Sequence, residues 1–254
     1  MTADLTGKII VLTGVTGGIG QVTARTYLEH GAVVIGSDIN EELGEKLAAE
    51  LTGDGHDFTF VAGDVTRAET AQALADLVRE RHGRLDVLHN NAGVLVAKGV
   101  QDTTEEEWDL VMNVSVRGTF LMIRALSPLM GEGGSIINMG SSLGLVGGAN
   151  EAAYCAAKGA IVNFTKAVAC DLAPAIRVNA ICPGGIDTAM PRNVVAALPA
   201  EDRDAVWKGL EAEHLLGRVG QPEEIAAVAL FLAGDDSTFV NGTAIAVDGG
   251  WTAR

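Results

Sequence analysis

The chain has 254 residues, 48% of them apolar, and a formal net charge of −15. So much apolar side chain suffices for a sizeable core, while the negative charge excludes nucleic acid and anionic membrane surfaces as expected partners. Glycine is abundant at 32 and proline scarce at 6, which suits tight strand-to-helix turns and argues against disordered linkers.

Short β-branched runs alternate with helical spacing along the chain. The first predicted strand, Lys8–Thr13, enters a glycine-rich turn and then a helix over Gln21–His30. In that turn, Gly14, Gly18 and Gly20, with Thr16 and Ile19 between them, let the backbone approach a pyrophosphate that faces the helix N-terminus. The spacing Gly-x-x-x-Gly-x-Gly is one residue longer than the usual dinucleotide fingerprint.

A second strand, Ala32–Ser37, ends at Asp38. A carboxylate there can accept hydrogen bonds from both adenosine ribose hydroxyls and would repel a 2′-phosphate. No lysine or arginine stands at Gly17 or Ile39, so NAD is expected rather than NADP. Asp38 could instead cap the next helix, Glu41–Leu51, although Asn40 can do the capping.

A third strand, Phe58–Ala62, is followed by a helix over Ala68–Arg81, and a fourth, Leu85–His89, by Asn90-Asn91-Ala92-Gly93. His89 reads as a strand-end packing residue. One long helix is expected over Glu105–Met130, with acids at its start that complement the helix dipole. Asn113 lies inside it, where asparagine is a mediocre helix former.

After the fifth strand, Ser135–Met139, come Ser141 and a helix over Ala152–Leu172 that carries Tyr154 and Lys158. Residues four apart share a helix face. A free tyrosine has a pKa near 10, and a nearby cation pulls it down, so such a phenol can exchange a proton with an alcohol or ketone. Ser141 could hold the same oxygen. The plain alternative is a surface pair on an ordinary helix.

The sixth strand, Ile176–Ile181, is followed by a stretch without strands from Pro183 to Gly220, before a helix over Pro222–Leu232 and a last strand, Ala244–Val247. Strands that are apolar on both faces, alternating with helices, indicate an α/β fold: a doubly wound, parallel, seven-stranded sheet with helices on both faces. The chain reads as a single domain, 1–254, with a lid insertion at about 186–218 near the sheet edge where ligands bind. Leu143, Gly185, Met190 and Trp207 are the expected substrate contacts, with Leu145, Val146, Val194, Val195, Leu198, Leu210 and Leu215 as further apolar candidates. Together they favour a neutral, fairly apolar secondary alcohol or ketone, cyclic ones included.

Cys155, Cys170 and Cys182 have neither paired nor metal-type spacing, so no metal and a reduced, cytoplasmic setting are expected. The start of the chain lacks a leader-like apolar segment. No apolar run approaches the 18 or so residues of a membrane span.

Thr13–Gly20, Asn90–Gly93, Asn113, Ser141, Tyr154 with Lys158, and Pro183-Gly184 together resemble a short-chain dehydrogenase/reductase of the single-domain type, in order and spacing over nearly the whole chain. The resemblance implies a Rossmann-like strand order 3-2-1-4-5-6-7 and a homotetramer or homodimer built on the helices flanking the fifth strand. It implies that Asp64 and Val65 flank the adenine, and that Asn91, Ala92 and Gly93 line the cofactor channel. Pro183, Gly184, Ile186 and Thr188 would lie at the nicotinamide, and Asn113 would hold a water linking Lys158 to solvent. The chain is also similar to 3-oxoacyl-carrier-protein reductases of the same family, which usually employ NADPH; Asp38 weighs against them. A cofactor-sensing regulator on the same fold is a further alternative, against which the retained Tyr154 and Lys158 argue.

Overall fold

The computed structural model describes residues 4–253; the first three residues, part of the segment read for a leader, lie outside them. Seven parallel strands form one sheet in the order β3-β2-β1-β4-β5-β6-β7. They are β1 Ile9–Thr13, β2 Val33–Asp38, β3 Phe58–Ala62, β4 Leu85–Asn90, β5 Met130–Met139, β6 Ile176–Pro183 and β7 Ala244–Val247. All of β1 and β6 is buried, as strands covered on both faces must be. The sequence therefore places all seven strands correctly, and the strand order is the one the resemblance implies.

The helices are α1 Gly18–Glu29, α2 Glu41–Gly53, α3 Ala68–Arg81, α4 Glu105–Met112, α5 Gly118–Leu126, α6 Ala152–Leu172, α7 Ala189–Ala196, α8 Ala200–Glu213 and α9 Pro222–Ala233. One core lies between the sheet and α1, α2 and α9, with Leu12, Tyr27, Val34, Leu47 and Ile225 in it. The other lies against α3, α5 and α6, with Val11, Leu74, Leu88, Leu126 and Val168. Alternate strand residues feed the two cores, because successive side chains point to opposite faces.

The expected helix Glu105–Met130 is interrupted. Between α4 and α5, Asn113–Arg117 forms a π turn, Ser127–Leu129 is a 3₁₀ turn, and Met130 already belongs to β5. The stretch from Glu105 to Leu129 reaches the length and mean hydropathy of a membrane span, although Glu105, Glu106, Glu107, Asp109, Arg117 and Arg124 leave it without an unbroken apolar run. Its apolarity has a local cause: Val111, Leu121, Met122, Ile123 and Leu126 are core residues.

Strand order reverses beside β1, whose neighbours are β2 and β4. The crevice at the C-terminal ends of the strands is where open α/β sheets bind ligands. Just above this edge lie α7 and α8, and Ile186 pairs with Gly220 as an isolated bridge that closes the base of the insertion.

Candidate active site

A cleft of about 410 Å³ opens along this edge, from Asp38 and the glycine-rich turn to Ser141, Tyr154 and Lys158. Its first wall is the β1–α1 turn. Gly14 has φ +66°, and a Cβ there would stand 2.8 Å from Ala92 Cα. At Gly20 a Cβ would lie 2.2 Å from the Gly14 carbonyl oxygen. Neither position admits a side chain, so the backbone itself forms the cradle at the start of α1. A pyrophosphate would meet main-chain N–H groups and the positive end of the helix dipole there. The helix begins at Gly18, three residues earlier than the apolar spacing suggests, because the glycines carry no hydrophobic signal.

Asn91 fastens this turn from β4. Its Nδ2 donates to the main-chain oxygens of Thr13 and Gly14 at 3.1 and 2.9 Å, and its backbone N–H donates to Thr13 Oγ1 at 3.1 Å. Asn91, Ala92 and Gly93 all line the cleft, but the amide of Asn91 is spent on holding the cradle.

At the end of β2, Asp38 also lines the cleft. One carboxylate oxygen accepts from Thr16 N at 3.0 Å and the other from Asn40 N at 3.0 Å. Asn40 is the cap of α2, its Oδ1 accepting from Leu43 N at 3.1 Å, so Asp38 is not needed there. Lys158 is the only lysine or arginine among the described residues lining the cleft. Ile39 is 73% exposed and is not part of the wall.

Ser141, Tyr154 and Lys158 converge at the other end. The helix carrying Tyr154 and Lys158 is tied to the sheet by a buried chain: Asn90 Nδ2 donates to Asn138 Oδ1 at 2.9 Å, and Asn138 Nδ2 to Thr165 Oγ1 at 3.0 Å. Lys158 is 3% exposed; its Nζ donates to the Met139 carbonyl at 2.8 Å and lies 5.5 Å from the centre of the Tyr154 ring. Ser141 Oγ accepts from Leu143 N at 3.1 Å, and its hydroxyl favours the ionised form of the Tyr154 phenol. Ser142, the competing serine, has a buried Oγ without a partner among the described residues.

The electrostatics differ from the sequence expectation. Burial pushes the Tyr154 phenol up to about 12, against the opposing pull of the Ser141 hydrogen bond. The same burial lowers Lys158 to about 8. In the protein alone, desolvation therefore outweighs the attraction that a neighbouring ammonium was expected to exert on the phenolate.

Besides Ile39, the sequence-selected Asp64, Val65, Asn113 and Trp207 fall outside the cleft, as do the apolar candidates Leu145, Val146, Val194, Val195, Leu198 and Leu215. Asp64 holds its own turn, its Oδ1 accepting from Thr66 N at 2.8 Å, and Val65 is packed in the core. Asn113 is an exposed residue of the π turn; the buried residue of that turn is Ser115, whose Oγ finds no partner among the described residues. Trp207 lies under Arg192, whose guanidinium carbon is 5.2 Å from the ring centre. Asp187, of open role in the sequence, makes an ion pair with the same Arg192.

Gly184, Gly185, Ile186, Thr188 and Met190 line the cleft as expected, as do Pro183 and Leu143. A Cβ at Gly18 would lie 2.8 Å from Thr188 Cγ2, which shows how closely this loop crosses the start of α1. The sequence reading missed Trp251, Glu151, Pro191 and Leu95 in the wall.

A family profile described as enoyl-(acyl carrier protein) reductase matches residues 14–252. Cyclopentanol dehydrogenase of Comamonas sp. is 42% identical over 250 residues, covering 97% of this chain and 98% of that protein. The chain belongs to the short-chain dehydrogenase/reductase family. Dehydrogenase/reductase SDR family member 6 of Danio rerio is 41% identical over 251 residues, with 97% and 98% covered. The crystal structure of a short-chain dehydrogenase/reductase from Brucella melitensis, described as glucose/ribitol dehydrogenase, matches with a TM-score of 0.92 at 30% identity, covering 99% of each chain. As a short-chain dehydrogenase/reductase, the protein is an oxidoreductase of a family that uses NAD(P).

Proposed function

We propose that this enzyme transfers hydride reversibly between NAD(H) and a compact, apolar secondary alcohol or ketone, cyclic ones included. The observation carrying the proposal is the convergence of Ser141, Tyr154 and Lys158 at one end of a cleft whose other end is Asp38. With Lys158 its only lysine or arginine, the cleft offers no cation beside Asp38 for a 2′-phosphate, which supports NAD over NADP. Similarity to a cyclopentanol dehydrogenase and the apolar wall of Leu143, Met190, Pro191, Leu210 and Trp251 support the substrate class.

When bound, NAD supplies the hydride acceptor and a positive ring. In the oxidative direction, Tyr154 takes the hydroxyl proton as phenolate, and Ser141 donates a hydrogen bond that orients the substrate oxygen. Lys158, held by Met139 at 2.8 Å, would bind the nicotinamide ribose and favour the phenolate. Burial leaves Tyr154 protonated at neutral pH, which suits it to give a proton to a ketone and makes oxidation the direction favoured by alkali.

The reading extends to a single catalytic domain with a lid at about 186–218, and to a cytoplasmic homotetramer or homodimer. Exposed Trp108, Leu110 and Phe120 on α4 and α5 suit such an interface. Reduction of a 3-oxoacyl carrier-protein thioester is the weaker reading, since Asp38 disfavours NADPH.

The test is a panel of secondary alcohols and ketones, with acetoacetyl thioester among them, assayed with NAD(H) and NADP(H) at neutral and alkaline pH. Turnover of cyclic alcohols with NAD is the expected result. Preference for the thioester with NADPH would overturn the proposal.

A further inference from the structure

We infer that Trp251 is a specificity-determining residue, a fixed wall that admits compact ring alcohols and turns away long linear ones; this rests on the proposed oxidation of alcohols. The residue stands three positions from the end of the chain, yet it lines the cleft with Gly185, Met190 and Leu210. Trp207, the tryptophan selected from sequence, does not.

Two devices hold the indole. The first is the turn that carries it. Asp248 is 7% exposed; its Oδ1 accepts from Gly250 N at 3.0 Å, and its Oδ2 accepts from Thr252 N and Thr252 Oγ1 at 2.9 and 2.5 Å. Trp251 N donates to the Asp248 carbonyl at 3.1 Å, and Leu216 N to the Gly249 carbonyl at 3.0 Å. Gly249 and Gly250 have φ of +58° and +86°, so the chain reverses in a conformation that side chains rarely tolerate.

The second device is His214, at the end of α8. It is 3% exposed, and its ring lies 5.5 Å from that of Trp251. Nε2 accepts from Gly185 N at 3.0 Å, and Nδ1 is 2.8 Å from the Leu210 carbonyl. Because Gly185 N–H can only donate, the proton sits on Nδ1, and both ring nitrogens are committed. A Cβ at Gly184 would lie 2.7 Å from His214 Nε2, so the imidazole is wedged between the lid helix and the end of β6. The indole therefore meets a fixed neighbour behind it.

A rigid wall discriminates by shape. A small ring alcohol has few internal rotors to freeze and fits against a flat indole. A long chain must fold back or displace a tryptophan that the Asp248 turn and His214 hold in place.

The test compares cyclopentanol with a secondary decanol, with NAD, for wild type and for Trp251→Ala, Trp251→Leu and Trp251→Phe, with NADH affinity measured by fluorescence for each. With cofactor affinity unchanged, Trp251→Ala and Trp251→Leu are expected to shift the kcat/KM ratio toward the decanol by about tenfold or more. Trp251→Phe should keep most of the preference. An unchanged ratio in the Ala and Leu variants, with wild-type turnover of cyclopentanol intact, overturns the inference alone. Wild type that oxidises no alcohol overturns the proposed function, and this inference with it.

Discussion

Lys158 donates its ammonium to the main-chain oxygen of Met139 at 2.8 Å, two residues before Ser141 on the strand side of the cleft. One bond thus fixes the cation of α6 to the end of β5, where the serine emerges. The burial that achieves this has a thermodynamic cost, because the charged form is disfavoured and Lys158 is lowered to about 8.

The sign of that cost makes it measurable. Unfolded, the lysine keeps its ordinary value of 10.5; folded, it releases its proton earlier. Below about pH 8 the penalty is fully present, and it is relieved as pH rises toward 10.5. Lys158→Met should therefore stabilise the fold at pH 7, on the order of 2 kcal/mol, while abolishing turnover. Denaturant unfolding at pH 7 and 10 checks this, with the stability gap expected to shrink at the higher pH.

Asp38 fixes cofactor choice in the proposed account. Asp38→Ala should move the NAD-to-NADP preference toward NADP by roughly tenfold or more, since a lost carboxylate removes both the ribose acceptors and the repulsion of a 2′-phosphate. Steady-state kinetics with both cofactors read this directly; identical preference in the variant contradicts it.

Tyr27 and His89 predict acid lability. They are both buried, and Tyr27 Oη lies 3.0 Å from His89 Nδ1; burial holds His89 at about 3. Unfolded chains bind a proton near pH 6.5 that the folded state refuses, so stability falls as pH drops from 6.5 toward 3. Unfolding curves between pH 7 and 4 should show this loss in wild type and a smaller loss in the double variant Tyr27→Phe/His89→Leu.

Asn113 and Ser115 separate a sequence match from a structural position. Asn113→Ala should leave turnover within about twofold, because an exposed side chain outside the cleft makes no contact there to lose. Ser115→Ala removes a hydroxyl that has no partner among the described residues, and should leave stability unchanged or raise it by up to about 1 kcal/mol. Kinetics and thermal unfolding of the two variants check both statements.

The parts of the molecule legible in sequence are those encoded locally. Strands announce themselves as short apolar runs, the cradle as glycines after the first of them, and Tyr154 with Lys158 as an i, i+4 pair on a helix. What was hidden depends on rotation or on distance. The π turn at Asn113–Arg117 inserts a residue into an unbroken helical pattern, so the inward face shifts and Ser115 is buried where Asn113 was expected to act. Trp251 reaches the cleft only because β7 is the last strand of the sheet and its turn folds back on α8, a contact no local pattern reports. The upward shift of Tyr154 is not legible in sequence, because spacing reveals a neighbouring charge, whereas burial becomes visible only in three dimensions.

The central claim is that Tyr154 exchanges the substrate proton. Its most direct test is the pH dependence of NAD reduction by a cyclic secondary alcohol, measured for wild type and Tyr154→Phe. Wild-type oxidation is predicted to accelerate with rising pH, as a phenol held up by burial ionises. Tyr154→Phe is predicted to lose turnover by about 100-fold or more, the usual contribution of a positioned acid or base, with NADH binding retained. Near-normal turnover in Tyr154→Phe, with the same rise in alkali, would contradict the account.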